Sequence, residues 1–204
     1  MQRHSGSSSA STDPRQRLLR AANDIVADEG FAAATLRNVA TRAGCTTGSV
    51  THHFRCRQDL LVAMLQSAHE AAGRRMLDRA QSVGDPRLRL RAVLLEALPL
   101  DTMRLAEWRI WVAFWAEAVS NSAVAEENAS RYREWRTFLA SLVLPFCRTN
   151  AERECEVDAA VALIDGLGVG LTVAARGRLH RRGLDAAAVV IDRHLETLCG
   201  GRSA

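Results

Sequence analysis

Lysine is absent from this sequence: all 27 basic residues are arginine, set against 23 acids. An arginine-only complement suits bidentate contacts to phosphate and guanine, although an alanine- and arginine-rich genome gives the same bias. Cysteine provides no framework. Cys45, Cys56, Cys147, Cys155 and Cys199 form no CxxC pair and no zinc-ligand spacing, and an odd number of thiols fits reduced side chains better than disulfides. Catalytic signatures are missing as well. There is no HExxH, no phosphate loop and no Ser/His/Asp order in motif context, and Asp24, Asp28, Glu126 and Glu127 fall where a solvated helix face would carry them. His52 and Cys56 stand four residues apart, but no acidic or second cysteine ligand accompanies them, so neither a metal nor a cofactor is expected. The longest apolar stretch, 163–175, is interrupted by Asp165 and three glycines, which argues against a membrane span. The first 13 residues are serine-rich with no apolar centre; they read as a disordered tail rather than a secretory leader, which implies a cytoplasmic protein.

What remains is helical. Alternating β-branched runs are few and apolar residues recur at helical spacing, so the expected fold is all-α with about nine helices. A first helix over about 14–29 starts with Asp13 as cap and Pro14 in the first turn, buries Leu18, Ala22, Ile25 and Val26, and stops at Gly30. Thr35 caps a short second helix that ends at Gly44. Thr46 caps a third, with Val50 and Phe54 inward and Thr47, Ser49, Thr51, His52 and His53 on its other sides. Longer helices follow over about 57–81, 87–98, 102–119, 123–148, 152–175 and 185–199, with Pro145 disturbing the end of the seventh. The expected organisation is a tail at 1–13, a helix-turn-helix domain at 14–56, and a ligand-binding and dimerisation domain at 57–204, with the long fourth helix as the joint.

Charge is concentrated at the N-terminal end. Residues 1–60 hold eight arginines and five acids, and 8 − 5 supplies +3 of the net +4. Two short helices joined at a glycine, the second polar outside, are what a major-groove reader requires. On spacing alone a short solvated helical hairpin is the alternative reading.

The residues from about Arg15 to Leu65 also resemble the N-terminal domain of the TetR family of regulators. They comprise a first helix ending EGF, then TLRNVATRAG, CTTGSVTHHF and RCRQDLL. The resemblance implies that Arg37, Thr47, Ser49 and Thr51 face bases or the flanking sugar and phosphate. It further implies that His52 and His53 approach phosphates, that Arg57 stands where the family usually has a phosphate-binding lysine, and that Thr35 offers a hydroxyl or amide to phosphate. Thr46 belongs to the same face as the helix cap, and Gly48 lets the helix approach the DNA backbone. The departures are Cys45 for the usual valine, His53 for tyrosine and Arg57 for lysine. The second suggests phosphate contact that strengthens when His53 protonates.

Further along, WRIWVAFWAEAVSN and LIDGLGVGL resemble the C-terminal domain of the BetI-type branch, named for a choline-responsive repressor. This implies a small-molecule effector bound among Trp108, Trp111, Phe114, Trp115, Tyr132 and Trp135, with Glu117 or Asp165 as counter-charge. A choline-like cation held by cation–π attraction is one candidate; ordinary core packing is the other reading of each aromatic residue. Gly166, Gly168 and Gly170 thin the eighth helix, and Leu184, Ala188, Ile191, Leu195 and Leu198 make a narrow seam on the ninth. Together they suggest a homodimer through about 156–175 and 184–199, reading a palindromic double-stranded operator with half-sites about 34 Å apart. The competing functions are a helical ligand-binding protein or enzyme that keeps the fold without specific DNA binding, and a nonspecific architectural DNA binder.

Overall fold

The computed structural model describes residues 13–175 and 181–200, so the serine-rich tail lies almost wholly outside the described residues. All the regular structure described is helical: α1 (Pro14–Glu29), α2 (Leu36–Arg42), α3 (Thr47–His53), α4 (Arg57–Gln81), α5 (Pro86–Glu96), α6 (Thr102–Ala118), α7 (Ser122–Val143), α8 (Asn150–Ala174) and α9 (Arg181–Gly200), with 3₁₀ turns at Phe31–Ala33 and Leu144–Phe146. The chain divides into two compact units, one up to Ala63 and one from Met64 onward. The division falls inside α4 rather than at its first residue. The start of α4 is tied into the first unit, where Arg57 Nε donates to the Ala34 carbonyl at 3.1 Å.

In the first unit, α1 packs on α2 and α2 on α3 around Leu18, Ala22, Ile25, Val26, Val39, Val50 and Phe54, each 2% exposed or less. The helix starts are local. Asp13 accepts from the amide of Arg15, Thr35 Oγ1 from Asn38 at 3.1 Å, and Thr46 Oγ1 from Ser49 at 3.2 Å, each cap stabilising its helix by about 1 kcal/mol. Gly44 closes α2 with φ +65°, a left-handed conformation in which a side chain is strained. A fork from Arg42 fixes the angle of α2, reaching Asp28 at 3.0 Å and Glu29 at 2.7 Å on the end of α1.

In the second unit α6, α7 and α8 pack on one another, α5 meets α7 and α9, and α8 meets α9. Their shared core includes Leu90, Leu94, Leu98, Leu139, Val143, Ala160, Ile164, Ile191 and Leu195. Proline does end α7 early: the α-helix stops at Val143 and Pro145 sits in a 3₁₀ turn. α8 opens on a capping box in which Thr149 and Glu152 satisfy each other's backbone amides. By length and composition α8 is the one helix among the described residues able to cross a membrane. Here it is built into the core by Val157, Ala160, Val161, Ile164 and Gly168.

The proposed seam on α9 is largely used up internally. Ile191, Leu195 and Leu198 are buried in the core of their own chain, joined by Ala187 rather than Ala188. At 3.6 residues per turn the inward stripe drifts off a strict 3,4 repeat, and the residues left outward include Ala186, Val189, Val190 and Arg193. The glycines of α8 separate in the same way. A Cβ built on Gly168 would lie 1.9 Å from the Trp108 ring, whereas Gly166 and Gly170 have nothing within 4 Å. Gly168 therefore admits an indole of its own chain.

Candidate nucleic-acid interface and ligand cavity

The outward face of the first unit carries Arg37, Asn38, Thr41, Thr46, Thr47, Gly48, Ser49, Thr51 and His52, all exposed, with His53 half-buried. Some of these side chains are already committed. The Thr35 and Thr46 hydroxyls cap α2 and α3, and Thr51 Oγ1 donates to the Gly48 carbonyl at 3.0 Å. Arg57 is half-buried and braced on Ala34. Arg37, by contrast, has no side-chain partner among the described residues. A Cβ at Gly48 would meet only the Thr46 hydroxyl at 3.6 Å, an ordinary van der Waals distance, so the packing of this unit does not itself require glycine there. Two arginines of α1, not assigned a contact from sequence, also border this surface. Arg15 lies over the Phe54 ring, 5.5 Å from its centroid, and Arg17 shares a concave surface with Ser49, His52 and His53. Their signal in the sequence was only the basic bias of the N-terminal end. Among the described residues no group of three or more His, Cys, Asp or Glu side chains is arranged to hold a metal.

The second unit encloses a cavity of about 100 Å³ whose wall is drawn from α4 to α8. Five of the six aromatic residues expected there line it: Trp108, Trp111, Trp115, Tyr132 and Trp135. Trp108 and Trp115 meet edge to face at 5.7 Å between ring centroids, and Trp115 and Tyr132 lie tilted at 6.2 Å. Trp108 is held in place by its indole N–H, which donates to the Ala97 carbonyl at 2.8 Å, and by the absence of a side chain at Gly168. Two expected residues are not in the wall. Phe114 is fully buried, since one residue from Trp115 turns it about 100° round the helix. Glu117 lies near the end of α6, its Oε1 accepting from Asn121 at 3.4 Å.

Asp165 does line the cavity and accepts a hydrogen bond from the Tyr132 hydroxyl at 2.7 Å. Burial pushes its carboxyl above the ordinary carboxylate range, against the opposing pull of that hydrogen bond. The Tyr132 hydroxyl is likewise pushed up, by burial first and then by hydrogen bonding to Asp165 and its charge.

The polar part of the wall could not be anticipated from spacing. Arg75 grips Glu107 through both terminal nitrogens at 2.9 and 2.6 Å and Glu96 through Nε at 3.1 Å. Arg104 pairs with Asp101 at 2.9 Å and Glu96 at 3.3 Å, and Arg131 with Glu127 at 2.7 Å and Glu134 at 3.3 Å. Glu127 is held below its ordinary range, because Arg131 and Gln66 outweigh the cost of its burial. His69 on α4 bonds Glu134 at 3.0 Å and stands edge-on to Trp111. Asp165 is thus a wall carboxylate with no cationic partner among the described residues.

Comparison with known proteins finds matches to both parts of the chain. Residues 18–64 match the family described as bacterial regulatory proteins of the tetR family, and residues 86–200 match the BetI-type transcriptional repressor C-terminal domain. The chain is 25% identical over 187 residues to the transcriptional regulator PksA of Bacillus subtilis (strain 168), covering 91% of this chain and 89% of that protein. It is 29% identical over 157 residues to the regulator BetI of Serratia proteamaculans (strain 568), covering 75% and 78%. Among solved structures, a transcriptional regulator from Rhodococcus sp. RHA1 superposes with TM-score 0.77 at 27% identity over 93% of this chain and 97% of that one. A putative regulator from Saccharomonospora viridis in complex with choline superposes with TM-score 0.78 at 22% identity, over 89% and 95%. With its capped helix-turn-helix and its helical second unit, this chain belongs to the TetR family of DNA-binding transcriptional regulators, a non-enzyme family, and carries a BetI-type C-terminal domain.

Proposed function

We propose that this regulator is a cytoplasmic repressor that grips a palindromic operator as a twofold homodimer and releases it when a small organic cation fills the cavity of the second unit. The observation that carries the ligand is the uneven charge pairing of the cavity wall. Its guanidiniums are engaged by carboxylates, whereas among the described residues Asp165 is met only by a tyrosine hydroxyl, and it shares the cavity with five aromatic rings. An ammonium group there gains about 0.5–2 kcal/mol from each well-placed ring face and supplies the charge that Asp165 lacks. The choline held by the Saccharomonospora viridis relative supports the same chemistry.

Isothermal titration with choline and with its uncharged isostere 3,3-dimethylbutan-1-ol tests this. Choline is expected to bind and the alcohol to bind at least tenfold more weakly. Equal binding of the two, or no binding of choline or related ammonium ions, rejects a cation site.

On the DNA side, Arg37, Thr47 and Ser49 face bases or the flanking sugar and phosphate. Thr51 offers its methyl, its hydroxyl being turned to Gly48, and His52 and His53 meet phosphate. Arg57 acts first as a brace for α4. The glycine at 48 is explained by a DNA strand passing close to α3, since no neighbour among the described residues demands it. A mobility-shift assay on the protein's own upstream DNA against scrambled competitor is expected to give a large specificity ratio; equal retention of both rejects sequence-specific repression.

The dimer is assigned to the outward faces of α8 and α9. Small residues leave these faces shallow, and Val173, Val189 and Val190 stand 67%, 49% and 37% exposed. A monomer in sedimentation at micromolar concentration rejects it. Release is assigned to α4, which is tied to the cavity helices through Gln66 to Glu127, His69 to Glu134, and Arg75 to Glu96 and Glu107. A coupling of about 1–3 kcal/mol between ligand and operator corresponds to about a 5- to 150-fold change in DNA affinity.

A further inference from the structure

We infer that α1 contributes a phosphate-binding residue, Arg17, which joins Ser49, His52 and His53 in a cradle for one phosphate of the DNA backbone. This rests on the reading of α3 as the groove-reading helix and adds to it a contact from outside the helix-turn-helix. The four side chains line one concave surface of about 350 Å³ together with Pro14, Cys45 and Leu18, the last of which is 2% exposed. Ser49 and His52 are exposed and His53 half-buried.

The chemistry of the lining suits phosphate. A guanidinium fork and two imidazoles offer donors, the Ser49 hydroxyl beside them shares a hydrogen bond with the Thr46 hydroxyl at 3.1 Å, and no carboxylate is among the lining residues. Phosphate oxygens only accept, and a fork of two N–H groups matches their geometry.

Most other arginines of this unit are placed differently. Arg42 is held by Asp28 and Glu29, Arg55 by Asp59 and Arg57 by Ala34, Arg15 covers the Phe54 ring, and Arg20 and Arg37 lie outside the concavity. Arg17 has no acidic partner among the described residues and lies at the concavity itself. The contact is to backbone, so it adds affinity without adding sequence preference.

The test uses the full chain and a duplex that it selects from a randomised library, with a scrambled duplex beside it, followed by fluorescence anisotropy over a range of salt. Arg17→Gln is expected to weaken binding to both duplexes by the same factor. It should also lower the slope of log affinity against log salt by about 0.9, the value for one phosphate contact, while leaving the selected sequence unchanged. Arg17→Lys is expected to keep most of the slope. Arg20→Gln, on the same helix and outside the concavity, should behave as the native protein. A native slope in Arg17→Gln overturns the inference, and so does weaker binding without a change of slope, which would mark a structural role. If the native protein selects no sequence, the reading of α3 fails and the inference with it. If a sequence is selected and the slope does not move, the inference fails alone.

Discussion

The two units hold their functional residues in different ways. In the first, each helix that bears the candidate DNA face is set by residues within a few positions: a threonine cap at the start of α2 and of α3, and a left-handed glycine between them. In the second, the cavity wall is assembled from five helices, and its side chains are held by partners far along the chain, Arg75 by Glu107 and Tyr132 by Asp165. Local devices dominate the first unit. The second is a packing arrangement that any one of its helices can disturb.

Substitutions can break this contrast or sharpen it. The largest effect is expected from Gly168→Ala. The new methyl would fall within 1.9 Å of the Trp108 ring, and overpacking of that kind costs about 1–3 kcal/mol. The helix preference for alanine, about 0.5–1 kcal/mol, does not cancel it. Denaturant melts should show the loss, and hydrogen exchange should confine it to the second unit. Protection lost equally in α1 to α3 would contradict the independence of the two units. Gly44→Ala should follow at about 1–2 kcal/mol, the strain of a left-handed residue with a side chain, with exchange rising in α2 and α3 while choline binding is unchanged.

Gly48→Ala should separate stability from function. Alanine there is expected to stabilise α3 by about 0.5–1 kcal/mol, seen as a higher melting temperature, and to weaken operator binding. Undiminished DNA affinity would remove the close approach assigned to that glycine.

The smallest effect on stability, and the one most dependent on conditions, is expected from Asp165→Asn. Because the folded protein holds the Asp165 carboxyl above its ordinary value, the native chain is favoured at low pH and loses that advantage as pH rises through the raised value. The asparagine variant does not titrate. Its melting temperature relative to the native protein should therefore be higher at pH 7.5 than at pH 4, while its affinity for choline falls. A difference independent of pH would show that Asp165 is not the buried acid of the cavity.

Much of the first unit was legible because its determinants are short in range. Asp13, Thr35, Thr46 and the glycines at 30 and 44 announce the ends of α1 to α3, and Val50 with Phe54 shows which side of α3 turns inward. Arg17 was not legible as part of a cradle, since its neighbours there are some thirty residues away in sequence and only packing of the first unit on itself brings them together. In the second unit the aromatic residues of α6 and α7 pointed to the cavity, yet their clustering alone put Phe114 in the wall together with Trp115. The direction in which each side chain faces depends on which neighbouring helix takes the adjacent place. The α9 seam shows the same limit: an apolar repeat announces that something will cover it, and Ile191 and Leu195 are covered by their own chain.

By itself, then, the sequence determined the helical class, the ends of nearly all the helices, the capped reading element at 35–54 and the aromatic character of α6 and α7. Caps, turns and amphipathic periods act over one or two turns of chain, so their signal survives in one dimension. Tertiary structure alone decided that Gly168 admits Trp108, that the arginines of the cavity are matched by carboxylates while Asp165 is left to Tyr132, and that Arg17 stands beside His52 and His53. Each of these depends on a meeting of distant segments, and such a meeting leaves no periodic trace in either of the segments that make it.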